Sequence, residues 1–341
     1  MAIATSYNVT SVQGAREDLS NQLKRVAPEQ TPIFSTIGSS KAPNALLTEW
    51  MVDSLGNPEF DTPPVDGAAL AFDGGFADEI STRVRMGKRI KRVQRAFSVS
   101  RLAEKIDVAG PQANLYGASA AKALILLKTD IESAIGAGNI PQTGTSSVGD
   151  RMGGLRHWTD PTATTGVFDT AAKQNFRAVS GSQFDLTSGA MGESDLRTLV
   201  QSVYEAGGKS VGYTLFCGPS VVNEVTDYSR ASGAVTATGA AFNVDSGDAS
   251  LRLSVTTWLS DYGRISIVPS LFIGRGSGAA IDATVRNAGL LIPKDDTVSI
   301  KTLEGITTVN LPDVGGGGKR GFADWMGTVC VLNARALGSI I

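Results

Sequence analysis

A single histidine, His157, limits what this chain can do by proton transfer or metal binding. A triad built on imidazole would have to use it, and a site with several histidine ligands is excluded. His157 stands beside Trp158, a setting typical of a structural residue. Cys217 and Cys330 are far apart in apolar, strand-like surroundings and lack zinc-ligand spacing. They read as small buried hydrophobes of a reducing compartment. Gly315-Gly316-Gly317-Gly318-Lys319-Arg320 invites comparison with a phosphate loop, which needs Gly, four residues, then Gly-Lys-Ser/Thr. Here the first position is Asp313, which repels phosphate. The last is Arg320, which supplies no hydroxyl for magnesium. Gly274-Arg275-Gly276-Ser277-Gly278-Ala279 follows a stretch interrupted by Pro269, and no clear helix comes after it, so a dinucleotide site is poorly supported. No carboxylate pair stands out as an acid/base couple. These residues imply no metal, no cofactor and no catalytic set.

The charges carry more information. Between Met51 and Thr82 stand seven acids, Asp53, Glu59, Asp61, Asp66, Asp73, Asp78 and Glu79, without a Lys or Arg. Between Arg83 and Arg95 stand seven bases, Arg83, Arg85, Lys88, Arg89, Lys91, Arg92 and Arg95, without an acid. The basic run lacks interleaved exposed aromatics for base stacking, which argues against a nucleic-acid groove. Leu46–Asp53 alternates as a strand, with Leu46, Thr48, Trp50 and Val52 on one side. Extended structure is expected again over Ile80–Val99. A two-stranded ribbon of this length is marginal alone in water. A ribbon with one acidic and one basic arm is therefore a candidate for docking on another subunit. The alternative is that both arms pair within one hairpin on a solvated face.

The elements around the ribbon follow from periodicity. Gly110–Gly138 repeats apolar residues at helical steps through Tyr116, Ala120, Ala123, Leu127, Ile131, Ala134 and Ile135. Pro111 suits the first turn, and Gly136 and Gly138 suit the stop. The expected rod has about 25 residues and a length of roughly 40 Å. Before the ribbon, Arg16–Val26 patterns as a short amphipathic helix in an arm reaching Lys41. Ile33, Phe34 and Ile37 of that arm need apolar surface from elsewhere. Asn139–Asp185 is loop-like. Glu193–Ala206 patterns as a helix with Ser194 as its cap. Val211–Cys217 is a strand, and Gly218-Pro219-Ser220 opens a helix over Val221–Tyr228. Ser254–Trp258, Arg264–Val268 and Leu271–Ile273 are further strands. Asp296–Leu311 and Gly327–Asn333 are closing strands.

Composition bounds the class. The 341 residues suffice for about two domains. A hydrophobic fraction of 42% with 19% charged residues fits a soluble folded protein. The net charge of −2 argues against a dedicated nucleic-acid binder with a broad basic face. The N-terminus has no charged and apolar signal segment, and nothing approaches the ~20 apolar residues that span a bilayer. A cytoplasmic site of synthesis and no membrane partner are expected.

The order of arm, ribbon, isolated long helix, α/β region and closing strands resembles the major head proteins of tailed bacteriophages with the Hong Kong 97-type capsid fold. The likeness in residues is clearest at Arg16-Glu17-Asp18-Leu19-Ser20 and at Ala27-Pro28-Glu29-Gln30-Thr31-Pro32-Ile33-Phe34-Ser35-Thr36-Ile37-Gly38. It continues at Glu49-Trp50 and Asp53-Ser54-Leu55. Weaker likenesses are Trp258-Leu259-Ser260-Asp261-Tyr262-Gly263 and Cys330-Val331-Leu332-Asn333-Ala334-Arg335-Ala336. The resemblance implies an α+β fold with an N-terminal arm (1–41), an extended hairpin loop (42–105) and a peripheral domain with a spine helix (106–192). An axial domain (193–292) and a return to the peripheral domain (293–341) would follow. It implies a non-enzymatic protein of the virion, assembled in the host bacterial cytoplasm as hexamers and pentamers of an icosahedral shell. Packaged double-stranded DNA would lie against the inner face without sequence specificity, and a decoration or scaffold protein would be a further partner. The intersubunit contact candidates are Arg83, Arg85, Lys88, Arg89, Lys91, Arg92, Arg95, Glu59, Asp61, Asp66 and Trp50. Alternatives are an encapsulin-like compartment shell, a nucleotide-binding enzyme on the glycine loops, and a fibre or decoration protein, although a fibre should show repeats that this chain lacks.

Overall fold

Pro32, suited to a first helical turn, opens the short helix α1 (Pro32–Thr36), and the strand β1 (Ser39–Lys41) follows it in the computed structural model. The described residues are 30–42, 44–55, 66–67, 83–106, 114–186, 189, 191–207, 212–234, 256–275, 281–313 and 318–341, with backbone only for 228–234. The expected helix over Arg16–Val26 lies outside them, as do Gly276–Ala279 and Gly315–Gly317 of the two glycine loops, whereas Gly274 and Arg275 form a turn and Lys319 and Arg320 begin a strand. β2 (Leu47–Val52) and β3 (Val84–Arg89) pair antiparallel as a separate ribbon. After Ile90 the chain passes into β4 (Lys91–Val99), which belongs to a different sheet. The helix α2 (Arg101–Lys105) is capped by the Ser100 hydroxyl, which accepts from the Ala103 N–H at 3.2 Å.

The long rod is α3 (Leu115–Gly136), 22 residues and so about 33 Å long. Its cap is Asn114, whose side chain accepts from the Gly117 N–H at 3.1 Å; the expected start near Gly110 falls outside the described residues. Ala123, Leu127, Ile131 and Ile135 form the buried stripe that the 3.6-residue period foretold.

The stretch expected to be loop-like holds the single-turn helices α4 (Leu155–Trp158) and α5 (Ala171–Gln174) and the short strand β5 (Gln183–Phe184). It lacks a long element because its order comes from burial: Met152, Leu155, Trp158 and Phe168 are all in the core. Gly154 approaches the end of α3 so closely that an added Cβ would lie 1.8 Å from the Ala137 carbonyl oxygen.

Next come α6 (Glu193–Gly207), β6 (Tyr213–Cys217), α7 (Pro219–Ala234), β7 (Thr257–Ser260) and β8 (Gly263–Pro269). Ser194 is not the cap of α6, because the first turn already includes it. The Asp195 carboxylate instead accepts from the Gly192 N–H at 2.8 Å. Leu271–Ile273 is not a strand. It is a turn that seats Phe272 and Ile273 in the core, while the Gly274 N–H donates to the Gly136 carbonyl at 3.2 Å and so ties the turn to the end of α3. The chain ends with α8 (Ala283–Asn287), β9 (Gly289–Pro293), β10 (Val298–Leu311), β11 (Lys319–Val331) and β12 (Gly338–Ile340). β11 starts eight positions before the expected Gly327, because Lys319, Arg320 and Asp324 hide its alternation.

Among the described residues the strands form three sheets. One is β1-β10-β11-β4, with β1 parallel to β10 and the rest antiparallel. The second is β5-β12-β9-β6-β8-β7, and the third is the β2-β3 ribbon. β6 is buried at every position, as expected of a strand covered on both faces. Two cores result. One packs α3 on the four-stranded sheet through Leu127, Ile131, Trp325 and Val329. The other packs α6 on the six-stranded sheet through Leu196, Val203, Leu215 and Ile267. Helix and sheet are mixed, as the α+β class requires.

Candidate assembly surface

The ribbon has an inner and an outer face, and its ladder has a fixed phase. Ile90 N–H donates to the Leu46 carbonyl at 3.0 Å, which makes Thr48/Lys88, Trp50/Met86 and Val52/Val84 the hydrogen-bonded pairs. These residues face the body: Thr48, Met86 and Lys88 are buried and Trp50 is half-buried. Trp50 stacks on Trp158 with ring centroids 6.0 Å apart, and Trp158 meets Phe168 edge-on at 5.4 Å. The Lys88 ammonium sits 4.9 Å from the centre of a Trp158 ring and donates to the Gly153 carbonyl at 3.0 Å. Burial pushes its pKa down to about 7, partly offset by Cys330. Leu47, Glu49 and Met51 face outward and are exposed, opposite Arg89, Gly87 and Arg85.

The segregated charges divide at Ile90. On the ribbon, Arg83 bonds Asp53 at 2.8 Å, Arg85 meets Glu49 at 3.4 Å and Arg89 meets Asp150 at 3.5 Å. Acidic and basic arms therefore meet across the ribbon at its root. Beyond Ile90, Arg92 reaches Asp324 of β11 at 2.6 Å and Arg95 forks onto Asp130 of α3, so both tie β4 to its own protomer. Lys91 is held below the usual lysine range, first by burial, with Asp130 opposing and Arg151 adding to the shift. Lys88 points into the interior. Asp66 lies exposed in a turn with Gly67, while Glu59 and Asp61 are outside the described residues.

A sheet-and-spine body with an appended charged ribbon is a specific architecture, and sequence comparison decides what it belongs to. The family model described as SU10 major capsid protein matches residues 3–341. The chain belongs to the SU10 major capsid protein family. As a major capsid protein it is a shell-forming, self-associating component of the phage virion. A search of curated proteins gives no match. Among solved structures, the capsid of cyanophage A-1(L) is similar at 12% identity, covering 98% of this chain and 97% of the other, with a TM-score of 0.65. The capsid of cyanophage P-SCSP1u is similar at 12% identity over 99% and 95%, with a TM-score of 0.58. A SrpI encapsulin complex from Synechococcus elongatus PCC 7942 is similar at 11% identity over 98% and 95%, with a TM-score of 0.52. At these identities the likeness is one of fold, and the fold is Hong Kong 97-type.

The capsid protein's helix α1 is anchored by a residue that periodicity did not single out. Glu132 of α3 is fully buried and accepts the Ile33 and Phe34 N–H groups of α1 at 2.8 and 2.7 Å. Burial pushes its carboxyl up to about 7, against the two amides, which favour the charged form. Phe34 meets Trp325 edge-on at 6.4 Å, and Ile33 and Ile37 join the α3 core, so the protomer itself supplies the apolar surface they need. One acid within the last apolar turn, between Ile131 and Ile135, was the available signal. His157 is buried, and its pKa falls to about 4, first by burial and then by Lys88, against Asp160 and a Thr165 backbone bond. Cys217 is buried with its thiol pushed up to about 12. No helix among the described residues is long and apolar enough to cross a membrane.

Proposed function

We propose that this major capsid protein closes an icosahedral shell of hexamers and pentamers around a double-stranded DNA genome. The observation that carries this is the family match over residues 3–341 of a chain folded as a spine, two sheets and an appended ribbon. The four-stranded sheet with α3 would be the peripheral domain, and the six-stranded sheet with α6 and α7 the axial domain that meets its copies at the five-fold and six-fold centres. The ribbon and the residues before Gln30 would lie across neighbours. Its outer face offers Leu47 and Met51 between charged residues, an apolar centre with a polar rim as stable interfaces tend to have. DNA would lie inside without sequence-specific contacts, in keeping with a net charge of −2 and with arginines engaged by carboxylates. The role is structural and turns over no substrate. A buried, hard-to-protonate His157 and a thiol near 12 at Cys217 suit packing better than catalysis.

Negative-stain electron microscopy of the overexpressed protein tests this. Closed shells or hexameric rings are expected. A compact monomer at every concentration would overturn it.

A further inference from the structure

The ribbon has an unpaired edge. Because Ile90 bonds Leu46, the main-chain N–H and C=O groups of Arg85, Gly87 and Arg89 point away from β2. Among the described residues no strand pairs with that side of β3. Alongside it runs a groove of about 520 Å³, closed opposite by Pro141–Thr143 and by the α5 region. Its lining holds Arg83, Arg85, Arg89, Arg151 and Lys173 against Glu49 and Asp169, of which Lys173 and Asp169 pair with each other at 2.7 Å; Lys88 also lines it, but its ammonium turns inward to Gly153. The Arg85 side chain is 70% exposed, and Arg151 is exposed with no acid partner among the described residues. An unpaired strand edge beside a basic groove accepts an extended acidic segment: main-chain bonds hold it and side chains select it.

We propose that this groove seats the acidic stretch from residue 68 to residue 79 of a second copy of the chain as an added strand on β3. The inference rests on the shell-forming function and names the surface through which one copy holds the next. This stretch carries Asp73, Asp78 and Glu79 and no Lys or Arg, and it follows the Asp66–Gly67 turn and the Pro63-Pro64 pair, which could not join a ladder. The first 29 residues lack this complementarity, because Arg16, Lys24 and Arg25 balance Glu17, Asp18 and Glu29. A tract that docks on a different patch of the next copy makes a head-to-tail contact, the kind that closes rings.

Charge exchange between two variants tests it. Arg85→Glu with Arg151→Glu makes the groove acidic; Asp73→Lys with Asp78→Lys makes the tract basic. Wild type, each variant alone, an equal co-expressed mixture and the four-fold variant are imaged for rings and shells, with folding followed by circular dichroism. Each variant alone is expected to fold and form neither rings nor shells, and the mixture is expected to form hexameric rings, in which the two variants alternate so that acidic tracts find basic grooves and basic tracts acidic ones; a five-membered ring cannot alternate, so the mixture need not close shells. The four-fold variant should assemble as well. Should the reversed groove impair folding, Arg85→Gln with Arg151→Gln is expected to raise the concentration needed for assembly about tenfold. Normal shells from either reversed variant overturn the proposal, as does an unchanged threshold for the glutamine variant. Assembly of the four-fold variant with no hexameric rings from the mixture means that each chain fills its own groove, which also overturns it. Rescue in neither assigns the groove another occupant. A wild type without shells removes the shell-forming function and this contact together.

Discussion

Trp50 of β2 stacks on Trp158 of α4 with ring planes 27° apart, and this contact fixes the ribbon to the body. Lys88 and Met86 fill in beside it, so the root of the ribbon is a core while its outer face stays exposed. Trp50→Ala is expected to cost roughly 2–4 kcal/mol, the range for removing a large aromatic from a partly buried site. Trp50→Phe should recover most of that. Urea denaturation of the unassembled protomer measures both, and an unchanged midpoint for the alanine variant would show that the stack does not hold the ribbon.

Glu132 gives the contact between α1 and α3 a pH dependence of unusual sign. The folded protein holds this proton up to about pH 7, whereas the unfolded chain releases it near 4.5. The linked stability is complete at acidic pH, declines as pH rises from about 4.5 to 7 and is level above. The decline is roughly 3 kcal/mol. Glu132→Gln removes the titration and one of two acceptors for the Ile33 and Phe34 amides. Its stability should run flatter than wild type across that window and lose about 1 kcal/mol at acidic pH, where a single bond is missing. Parallel pH profiles for the two proteins in thermal melts would contradict the assignment.

Much of this architecture was legible because it depends on local periodicity. The stripe Ala123, Leu127, Ile131 and Ile135 specified α3, and the alternation around Trp50 specified β2. The division of the basic run was not legible. Nothing local distinguishes Arg89, on the ribbon, from Arg92, whose partner Asp324 lies 232 residues away. The same holds for Glu132, whose partners are 98 and 99 residues distant. Long-range pairing also explains Leu271–Ile273, an apolar run that looks like a strand but serves as a wedge against the end of α3.

Lys88 should respond to pH in a different window. Its folded pKa of about 7 lies below the 10.5 of a free lysine, so the unfolded chain binds the proton more tightly. Below pH 7 the fold bears the full cost of a buried ammonium, and stability rises between about 7 and 10.5 as that charge is released. Lys88→Met keeps the length and removes the charge. It is expected to be neutral or stabilising near pH 6, as apolar replacements of buried charges often are, and to lose the alkaline rise. A variant that is strongly destabilised at pH 6, with the wild-type alkaline slope intact, would mean that the bond to Gly153 outweighs the burial cost.

The arginines of the basic run should separate into two classes by what each meets. Arg92 reaches Asp324, whose side chain is only 5% exposed, and removing the cation strands a carboxylate inside the four-stranded sheet. Arg83 meets Asp53, and that pair is 58% and 44% exposed. Exposed pairs of this kind contribute about 0.2–1 kcal/mol, whereas loss of one partner of a buried charge costs more, up to about 3–5 kcal/mol when both are enclosed. With Arg92 itself half exposed, Arg92→Ala is expected to cost roughly 2 kcal/mol in the protomer, and Arg83→Ala less than about 1. Arg83→Ala should therefore leave the melting temperature nearly unchanged while any effect appears at assembly. Equal losses for the two variants in denaturant titrations would show that burial of Asp324 does not set the difference.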